Sequence, residues 1–401
     1  MATGQAFRLR DVALAAYGPS AVSALGYGAI MPVLALQARA LGADVSTAAF
    51  VVALWPLGML ATSLPAGAVV ARLGERTTLL VAGLIDAVAM VAAATASTVW
   101  GLGIAVVVSG AAWTAFLIAR QGYVIDVVPL PWRARAMSLL GGTFRVGLFI
   151  GPLIGAALIA GVGLRSVFLF SGATSLAAAL LALAMPDVGV ESRTAARETG
   201  HASVRSVLVA HRRTLLTLGM AVVVIGVSRS VRSSLLPLWA EYVGISASTT
   251  SLIFSLAALI DVLFFWPGGW LMDRRGRAVV AVPVVLSVAV GCFLLPLTTG
   301  AVGVAAVMVL IAVGNGLGSG IVMTLGADTA PIVGRAQYLG GWRLCGDIGN
   351  SGGPLLVAAV AAAAPLAIAS VVVGMLALLG AGWVGYWTRH LDRTRRAAPF
   401  G

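Results

Sequence analysis

The chain contains no lysine, and charged residues of any kind are scarce. All 26 basic residues are arginine, and charged residues occupy 10% of the 401 positions, whereas a soluble domain carries about 25%. Two cysteines and three histidines are present. This content excludes a disulfide framework and disfavours a zinc or haem site. Water is therefore not the main solvent of this chain.

Several functional classes are excluded by what is missing. The net charge of +12 is scattered among short segments and does not form the continuous basic stripe of a nucleic-acid-binding protein. The sequence has no Ser/His/Asp set, no His-rich metal cluster and no phosphate-binding loop in the required context. We therefore expect no nucleic-acid partner, no cofactor, no metal and no enzymatic activity.

Long apolar runs fill most of the sequence. Hydrophobic residues make up 60% of the chain, and the mean hydropathy is +1.02. The first run follows Arg8 and Arg10 and continues to Leu36, which is too long for the apolar part of a signal peptide. Runs of about 20 apolar residues predict transmembrane helices. The twelve predicted spans cover residues 12–37, 46–71, 77–97, 100–127, 136–160, 165–186, 214–240, 247–272, 278–298, 301–327, 336–361 and 365–388.

The sequence repeats itself at a constant offset of 202 residues. The repeated pairs are Pro65 and Pro267, Gly67 and Gly269, Arg72 and Arg274, Gly74 and Gly276, Asp126 and Asp328, Pro129 and Pro331, Arg133 and Arg335, Gly147 and Gly349, Gly151 and Gly353, and Pro152 and Pro354. Solenoid repeats are much shorter, about 20 to 50 residues. The offset therefore indicates two fused copies of one membrane bundle, an arrangement found in secondary transporters.

The repeat and the arginines define the predicted topology. We predict an N-terminal six-helix bundle over residues 1–186, a cytoplasmic linker over 187–213 and a C-terminal six-helix bundle over 214–401. With the N-terminus inside, 19 of the 26 arginines lie in cytoplasmic segments, and only Arg39 and Arg165 lie outside. By the positive-inside rule both termini are cytoplasmic. We expect a monomeric, multi-pass protein of the inner membrane of a bacterium.

A loop motif carries a resemblance to a known family. Residues 269–277 read G-W-L-M-D-R-R-G-R, which resembles the G-x-x-x-D-R-x-G-R loop of the major facilitator superfamily. A weaker copy between spans 2 and 3 has Ala71 in place of the acidic residue and Glu75 in place of the last arginine. The resemblance implies a cytoplasmic gate, for which we expect Asp273 to be the functional carboxylate. The candidate gating-loop residues are Gly269, Asp273, Arg274, Gly276, Arg277, Gly67, Arg72 and Gly74.

A second motif, on span 5, resembles the antiporter motif of the family's drug:proton exchangers. It is partial, because Ser138 and Ala156 stand where that motif has glycine. Close helix packing through small residues is the alternative explanation, and span 11 repeats two of the glycines and the proline in register. The residues of this helix-packing motif are Gly147, Gly151, Pro152 and Gly155.

Charged residues inside the spans are the candidate coupling groups. Each costs at least about 2.5 kcal/mol near the bilayer centre. Arg145, Asp261, Asp347 and Asp86 all fall near the midplane, and Arg343 shares a helical face with Asp347 at i,i+4 spacing. The resemblance implies that span 5 packs near span 8, where Arg145 and Asp261 would meet. We hypothesise that Asp261 and Asp347 bind and release protons, with Arg145 and Arg343 as their partners.

Two other interpretations of the charges remain open. The first is a static ion-pair network, which fits Asp86 best because span 3 is peripheral in the family. The second is that arginines in the outer half of span 7 snorkel to the interface. If they instead face the cavity, they attract anions. The cavity candidates are Arg120, Arg229 and Arg232.

The sequence therefore predicts an all-α membrane protein with twelve transmembrane helices in two pseudo-symmetric six-helix bundles, the major facilitator fold. Within it the prediction is proton-coupled efflux of small amphipathic compounds or drugs by alternating access, with a small-molecule substrate, protons and the lipid bilayer as partners. One alternative is proton-coupled transport of an organic anion, which the intramembrane arginines favour. A further alternative is a non-transporting membrane receptor or scaffold on the same fold.

Overall fold

The computed structural model describes residues 9–129, 133–186, 204–331 and 335–397. These residues are almost entirely helical, and none of them forms a β-strand. Helices are the expected result, because a chain in hydrocarbon must satisfy its backbone hydrogen bonds within each segment. Residues 187–203, most of the predicted linker, lie outside the described residues.

The helices of the first half correspond to the first six predicted spans. They are α1 (Leu9–Ile30), α2 (Leu34–Ala40), α3 (Val45–Leu73), α4 (Glu75–Thr95), α5 (Val99–Val127), α6 (Arg133–Gly161) and α7 (Arg165–Leu183). Asp44 precedes α3 and accepts the N–H of Thr47 at 2.7 Å. Hydrogen bonds from Thr47 lower the pKa of the Asp44 carboxyl, as expected for an N-cap.

The second half begins with a short helix, α8 (Val204–Ala210). A helical turn, Arg212–Thr214, and a π-helical turn, Leu215–Gly219, then lead into the seventh span. The remaining helices are α9 (Met220–Tyr242), α10 (Ala247–Arg275), α11 (Ala278–Leu294), α12 (Ala301–Leu317), α13 (Ile321–Thr329), α14 (Arg335–Ala361) and α15 (Leu366–Ala397).

Ten described spans are long and apolar enough to cross a membrane, and a bent pair, Tyr17–Ile30 with Leu34–Ala40, makes eleven. The one remaining predicted span, residues 336–361, corresponds to α14, whose 27 residues extend about 40 Å. Polar residues such as Asp347 and Asn350 make it less apolar than the others.

Two spans predicted as continuous are broken. The first bends by 46° between Ile30 and Leu34, because Pro32 has no N–H and disfavours a helical conformation of the residue before it. The tenth is interrupted between α12 and α13, where residues 318–320 read Gly-Ser-Gly. Glycine weakens a helix interior, so the break lies where two glycines fall close together.

The chain divides into two compact units. The first comprises Met1–Met31 and Leu57–Gly200, and the second comprises Pro32–Pro56 and His201–Gly401. In the first unit α1 packs on α6 and α7, and α4 packs on α5 and α7. In the second unit α9 packs on α14 and α15, and α11 packs on α12 and α15. These pairs occupy equivalent positions of the repeat. The predicted boundaries at residues 186 and 214 stay a prediction.

The two loops predicted to gate contain the same turn. Gly74 follows α3 with φ +83°, and Gly276 follows α10 with φ +103°. Backbone at positive φ favours glycine because a Cβ is disfavoured there. The repeated glycine therefore follows the second transmembrane span of each half, α3 in the first and α10 in the second.

Candidate functional site

A polar cluster lies halfway along two spans of the second unit. Asp261 is fourteen residues from each end of α10, and Asn315 is fourteen residues from each end of the span Ala301–Thr329. Arg232 on α9 donates through Nη2 to Asp261 Oδ2 at 3.0 Å. Asn315 donates through Nδ2 to the same oxygen at 2.9 Å. The carboxylate therefore lies about 21 Å along the helix from either end.

The second oxygen of Asp261 has a different environment. Oδ1 is buried and accepts no hydrogen bond from any residue that the structure describes. The Asp261 side chain is 13% exposed, and that of Arg232 is 22% exposed. Because Oδ2 already holds both donors, a proton can bind Oδ1 without displacing either of them. The two oxygens of this carboxylate therefore differ, since one holds two donors and the other holds none from the described residues.

The break in the tenth span lies next to this cluster. Arg229, one turn before Arg232 on α9, donates through Nη2 to the carbonyl oxygen of Gly318. Such a bond satisfies a carbonyl at a helix end, which otherwise lacks a partner within the helix. A Cβ at Gly316 would lie 2.9 Å from the carbonyl oxygen of Asp261. Glycine there allows α12 to approach α10 closely at the Asp261 level.

The other predicted coupling residues are arranged less tightly. Arg343 Nε lies 4.0 Å from Asp347 Oδ2 on α14, so the i,i+4 proximity predicted from spacing is confirmed. The distance is at the outer limit of an ion pair, and the Arg343 side chain is 40% exposed. Arg145 lies on α6 in the first unit and is partly buried. Its role as the partner of Asp261 stays a prediction, whereas Arg232 is bound to Asp261 in the structure.

An aromatic cluster lies in the first unit. Tyr27 on α1 stacks on Trp113 of α5 with ring centroids 5.2 Å apart, and Trp113 stacks on Phe116 at 5.6 Å. Phe144 on α6 stacks on Tyr27 at 5.5 Å. The guanidinium of Arg120, a residue only 9% exposed, lies 5.6 Å from the Phe144 ring centroid. Trp113 and Phe116 are 5% and 3% exposed, so the cluster is packed into the first unit, and Tyr27 and Phe144 are its partly exposed rings.

The aromatic and polar clusters occupy equivalent positions of the repeat. At the offset of 202, the matched positions are Tyr27 and Arg229, Trp113 and Asn315, and Phe116 and Gly318. At these repeat-equivalent positions the first bundle has aromatic residues, whereas the second has polar residues or glycine. Tyr27, Trp113, Phe116 and Asn315 were not among the site residues predicted from the sequence. Comparing the repeats at positions that differ would have identified them.

In the second unit, the loop that is predicted to gate is bound through hydrogen bonds by residues other than Asp273, the carboxylate predicted to act there. Asp273 is exposed and forms no hydrogen bond or ion pair with the rest of the described chain. Arg277 donates through Nε to Asp328 Oδ2 at 2.7 Å. The Asp392 carboxylate on α15 accepts the backbone N–H groups of Arg277 and Ala278 at 2.9 and 3.0 Å. Asp392 therefore caps the first turn of α11.

The remaining residues of the two predicted gating loops lie on exposed helix surface. Arg274 lies over the Trp270 ring at 4.5 Å, and Arg72 is exposed in the last turn of α3. No described atom lies within 4 Å of a Cβ built on Gly67 or Gly269, so these two glycines lie on open helix surface.

The helix-packing motif makes equivalent contacts in both units. A Cβ at Gly151 would lie 2.5 Å from the carbonyl oxygen of Leu25, and one at Gly147 would overlap Ala24 on α1. In the second unit, a Cβ at Gly349 would lie 2.5 Å from the carbonyl oxygen of Val223 on α9. The small residues therefore serve close helix packing in both halves. Pro152 lies inside α6, and Gly155 is the loosest of these contacts, at 3.4 Å.

Comparison with known proteins identifies one family model and several relatives. Residues 20–354 match the family model described as Major Facilitator Superfamily. Multidrug resistance protein 2 of Bacillus subtilis is 30% identical over 166 residues, which are 40% of this chain and 40% of that protein. Multidrug resistance protein MdtG of Salmonella typhimurium is 31% identical over 150 residues, 35% of this chain and 36% of that protein. The matches thus span less than half of these relatives.

The fold is similar to that of solved transporters. A bacterial homolog of the human lysosomal transporter Spinster, solved in an inward-facing and unoccupied conformation, superimposes with a TM-score of 0.79. The sequences are 16% identical, and the match covers 97% of this chain and 99% of that one. At this identity the likeness concerns the fold alone.

Proposed function

This chain is a membrane transporter of the major facilitator superfamily, and we propose that it exports small amphipathic compounds in exchange for protons. The observation that carries the proposal is the Asp261 cluster, a carboxylate halfway along its span with one oxygen bound and the other buried without a donor from the described residues. An ionisable residue inside a membrane span costs free energy, so a functional role is its default interpretation.

The proton step follows from the geometry of this cluster. Protonation of Oδ1 neutralises Asp261 and weakens its attraction to Arg232, because the ion pair becomes a bond between a cation and a neutral group. Arg232 is then available to other acceptors in the second unit. Loss of the proton restores the pair. Binding of a proton is thereby linked to the contacts between α9 and α10.

The substrate class rests on the first unit and on the relatives. Stacked rings of Tyr27, Trp113 and Phe116 form an apolar cluster, and its partly exposed ring, Tyr27, gives it a surface suited to flat apolar groups. Two relatives are named multidrug resistance proteins. Both facts support small amphipathic compounds with an aromatic part. We propose that this surface binds the apolar part of the substrate.

The decisive experiment uses Asp261→Asn in proteoliposomes. The amide keeps the shape of the side chain but has no carboxyl proton to lose. We expect loss of transport driven by a pH gradient, while energy-independent exchange of substrate continues. Asp44→Asn is the matched control, because it removes an acid outside the spans and asparagine still caps a helix. Unchanged pH-driven transport in Asp261→Asn would contradict proton coupling at this residue.

A second candidate is transport of an organic anion. Arg120 lies beside the Phe144 ring, which suits an aromatic compound with a carboxylate. Counterflow with labelled anionic and cationic aromatic compounds distinguishes the two, since only the anion would exchange if Arg120 binds the substrate charge. A receptor or scaffold on this fold predicts no solute flux in any of these assays.

A further inference from the structure

A second buried carboxyl group lies in the first unit, on α4. Asp86 is eleven residues from the start of α4 and nine from its end, and it is 8% exposed. Ser109 on α5 donates to Oδ1 at 2.5 Å, and Ser175 on α7 donates to Oδ2 at 2.5 Å. Three helices thus bring one carboxylate and two hydroxyls together.

A fourth polar group faces the same place. Ser23 on α1 is 4% exposed and lines a small crevice together with Asp86 and Ser175. Its hydroxyl forms no hydrogen bond with any residue in the described part of the chain. Serines in helices ordinarily bond to a backbone carbonyl of the preceding turn. The Ser23 hydroxyl therefore has lone pairs available to a ligand in the crevice that Asp86 also lines.

No cation among the described side chains neutralises Asp86. Within the described residues no arginine or histidine contacts it, and the crevice is otherwise lined by small residues, Trp113 and Phe116. An isolated carboxylate is strongly disfavoured away from water unless a counter-charge accompanies it. Since the described residues supply only the two hydroxyl donors, a proton or a cation from solution would balance this charge.

The repeat shows that the bundle does not need these polar groups. At the offset of 202, the corresponding positions of the second unit are all buried and apolar: Ser23 and Ile225, Asp86 and Val288, Ser109 and Ile311, and Ser175 and Ala377. The equivalent helices pack in the same pairs in both units. Four polar residues at one place in one copy are therefore not a requirement of packing.

We propose that Asp86, Ser23, Ser109 and Ser175 form a binding site for a sodium ion. Carboxylate and hydroxyl oxygens are the ligands that hard cations prefer. A single carboxylate balances a monovalent cation, whereas a divalent one would leave excess charge in the hydrocarbon. Each serine hydroxyl can rotate, turning a lone pair to the ion and its hydrogen to a carbonyl of its own helix. The proposal does not depend on proton-coupled export.

The test is the thermal unfolding of the purified full chain in detergent, titrated with sodium, potassium or choline chloride at constant ionic strength and pH. A ligand that binds only the folded state raises Tm with its concentration. We expect a saturable rise with sodium and none with choline. Equilibrium dialysis with radioactive sodium should then give about one ion per chain.

Substitutions distinguish sodium binding at the proposed site from a general effect of salt on stability. Asp86→Asn should abolish the sodium response, and Ser23→Ala should weaken apparent sodium affinity by about tenfold. Ser370→Ala is the control, because Ser370 is a buried serine whose hydroxyl is bound to the carbonyl of Cys292. If Asp86→Asn does not fold, Asp86→Val with Ser175→Ala copies the second repeat and should fold without the response. Equal effects of sodium and choline, or stabilisation by acid alone, would overturn the proposal in favour of a protonated carboxyl.

Discussion

Arg39 and Glu241 occupy equivalent positions of the two repeats and bind each other. Arg39 Nε lies 3.2 and 3.0 Å from the two carboxylate oxygens of Glu241, across a sequence separation of 202 residues. Both residues belong to the second compact unit. The turns after them also match, since Ala43 N–H donates to Ala38 and Ile245 N–H donates to Ala240. Duplication has thus produced one turn twice, with opposite charges at the matching position.

A double-mutant cycle measures this pair. Arg39→Ala and Glu241→Ala should each destabilise the chain slightly, with a coupling energy of about 0.2 to 1 kcal/mol, because both side chains are about one-third exposed. The coupling should fall at high salt. Thermal unfolding at two ionic strengths checks both statements. Coupling well above this range would mean that the pair is shielded from solvent in a way the structure does not show.

The Arg232–Asp261 pair should respond differently, because it is more buried. Arg232→Met alone leaves a carboxylate with only Asn315 as a donor, and we expect a loss of about 3 kcal/mol in the free energy of unfolding. Adding Asp261→Leu should recover most of that loss, since an apolar pair of similar volume is often as stable as a buried ion pair. Denaturant unfolding of the single and double variants measures the difference. Additive losses would contradict the pairing.

Gly151 should tolerate no side chain. Gly151→Val pushes a branched side chain into the α1 backbone, and we expect a destabilisation of about 1 to 3 kcal/mol. Gly142→Ala on the same helix is the control, because no described atom lies within 4 Å of a Cβ at that position. Gly353→Val tests the same contact in the second unit, where a Cβ would lie 2.7 Å from the carbonyl oxygen of Val227. Thermal unfolding and expression level give the readout.

Substitutions of Asp392 and Asp273, which lie near the predicted gating loop, should distinguish an effect on stability from an effect on gating. Asp392→Ala removes the cap of α11 and should cost about 1 kcal/mol. Asp273→Asn removes an exposed carboxylate without a described partner and should leave Tm unchanged. If Asp273 gates, the transport rate of Asp273→Asn should nevertheless fall. A normal rate at normal Tm would reject the gating role that the family motif implies for it.

Trp113 should matter for substrates with aromatic rings. Trp113→Ala removes the middle ring of the cluster, whose stacking contributes about 0.5 to 1.5 kcal/mol beyond its buried area, so KM for aromatic substrates should rise by up to about tenfold. Trp100→Ala, on the same helix and 81% exposed, controls for loss of a surface tryptophan, and Tm is measured for both variants because Trp113 is 5% exposed and its truncation leaves a cavity. Transport assays in a strain lacking its own exporters compare the two. An equal effect of both variants would argue against an aromatic binding surface.

What could be predicted from the sequence was mostly local. Apolar runs predict the helices, and i,i+4 spacing predicts the proximity of Arg343 and Asp347, because both depend on neighbours along the chain. The bend at Pro32 lies inside a run whose hydropathy does not change, so a hydropathy reading does not detect it. The partner of Asp261 depends on which faces of α9, α10 and α12 meet, and sequence spacing does not define faces between separate helices. Tyr27, Trp113 and Phe116 could have been predicted from the repeat, because each differs in type from the residue 202 positions later.

The capping of α11 by Asp392 has a consequence for handling the protein. α15 has 32 residues and extends about 48 Å, so it is longer than the hydrocarbon core of about 30 Å. The part that carries Asp392 therefore looks like a dispensable tail when the chain is judged by its hydropathy. Shortening the chain to residue 390 would leave all predicted spans intact and still expose the first turn of α11. Affinity tags and reporter fusions should follow residue 401, because trimming the end is a structural mutation of a loop 115 residues away.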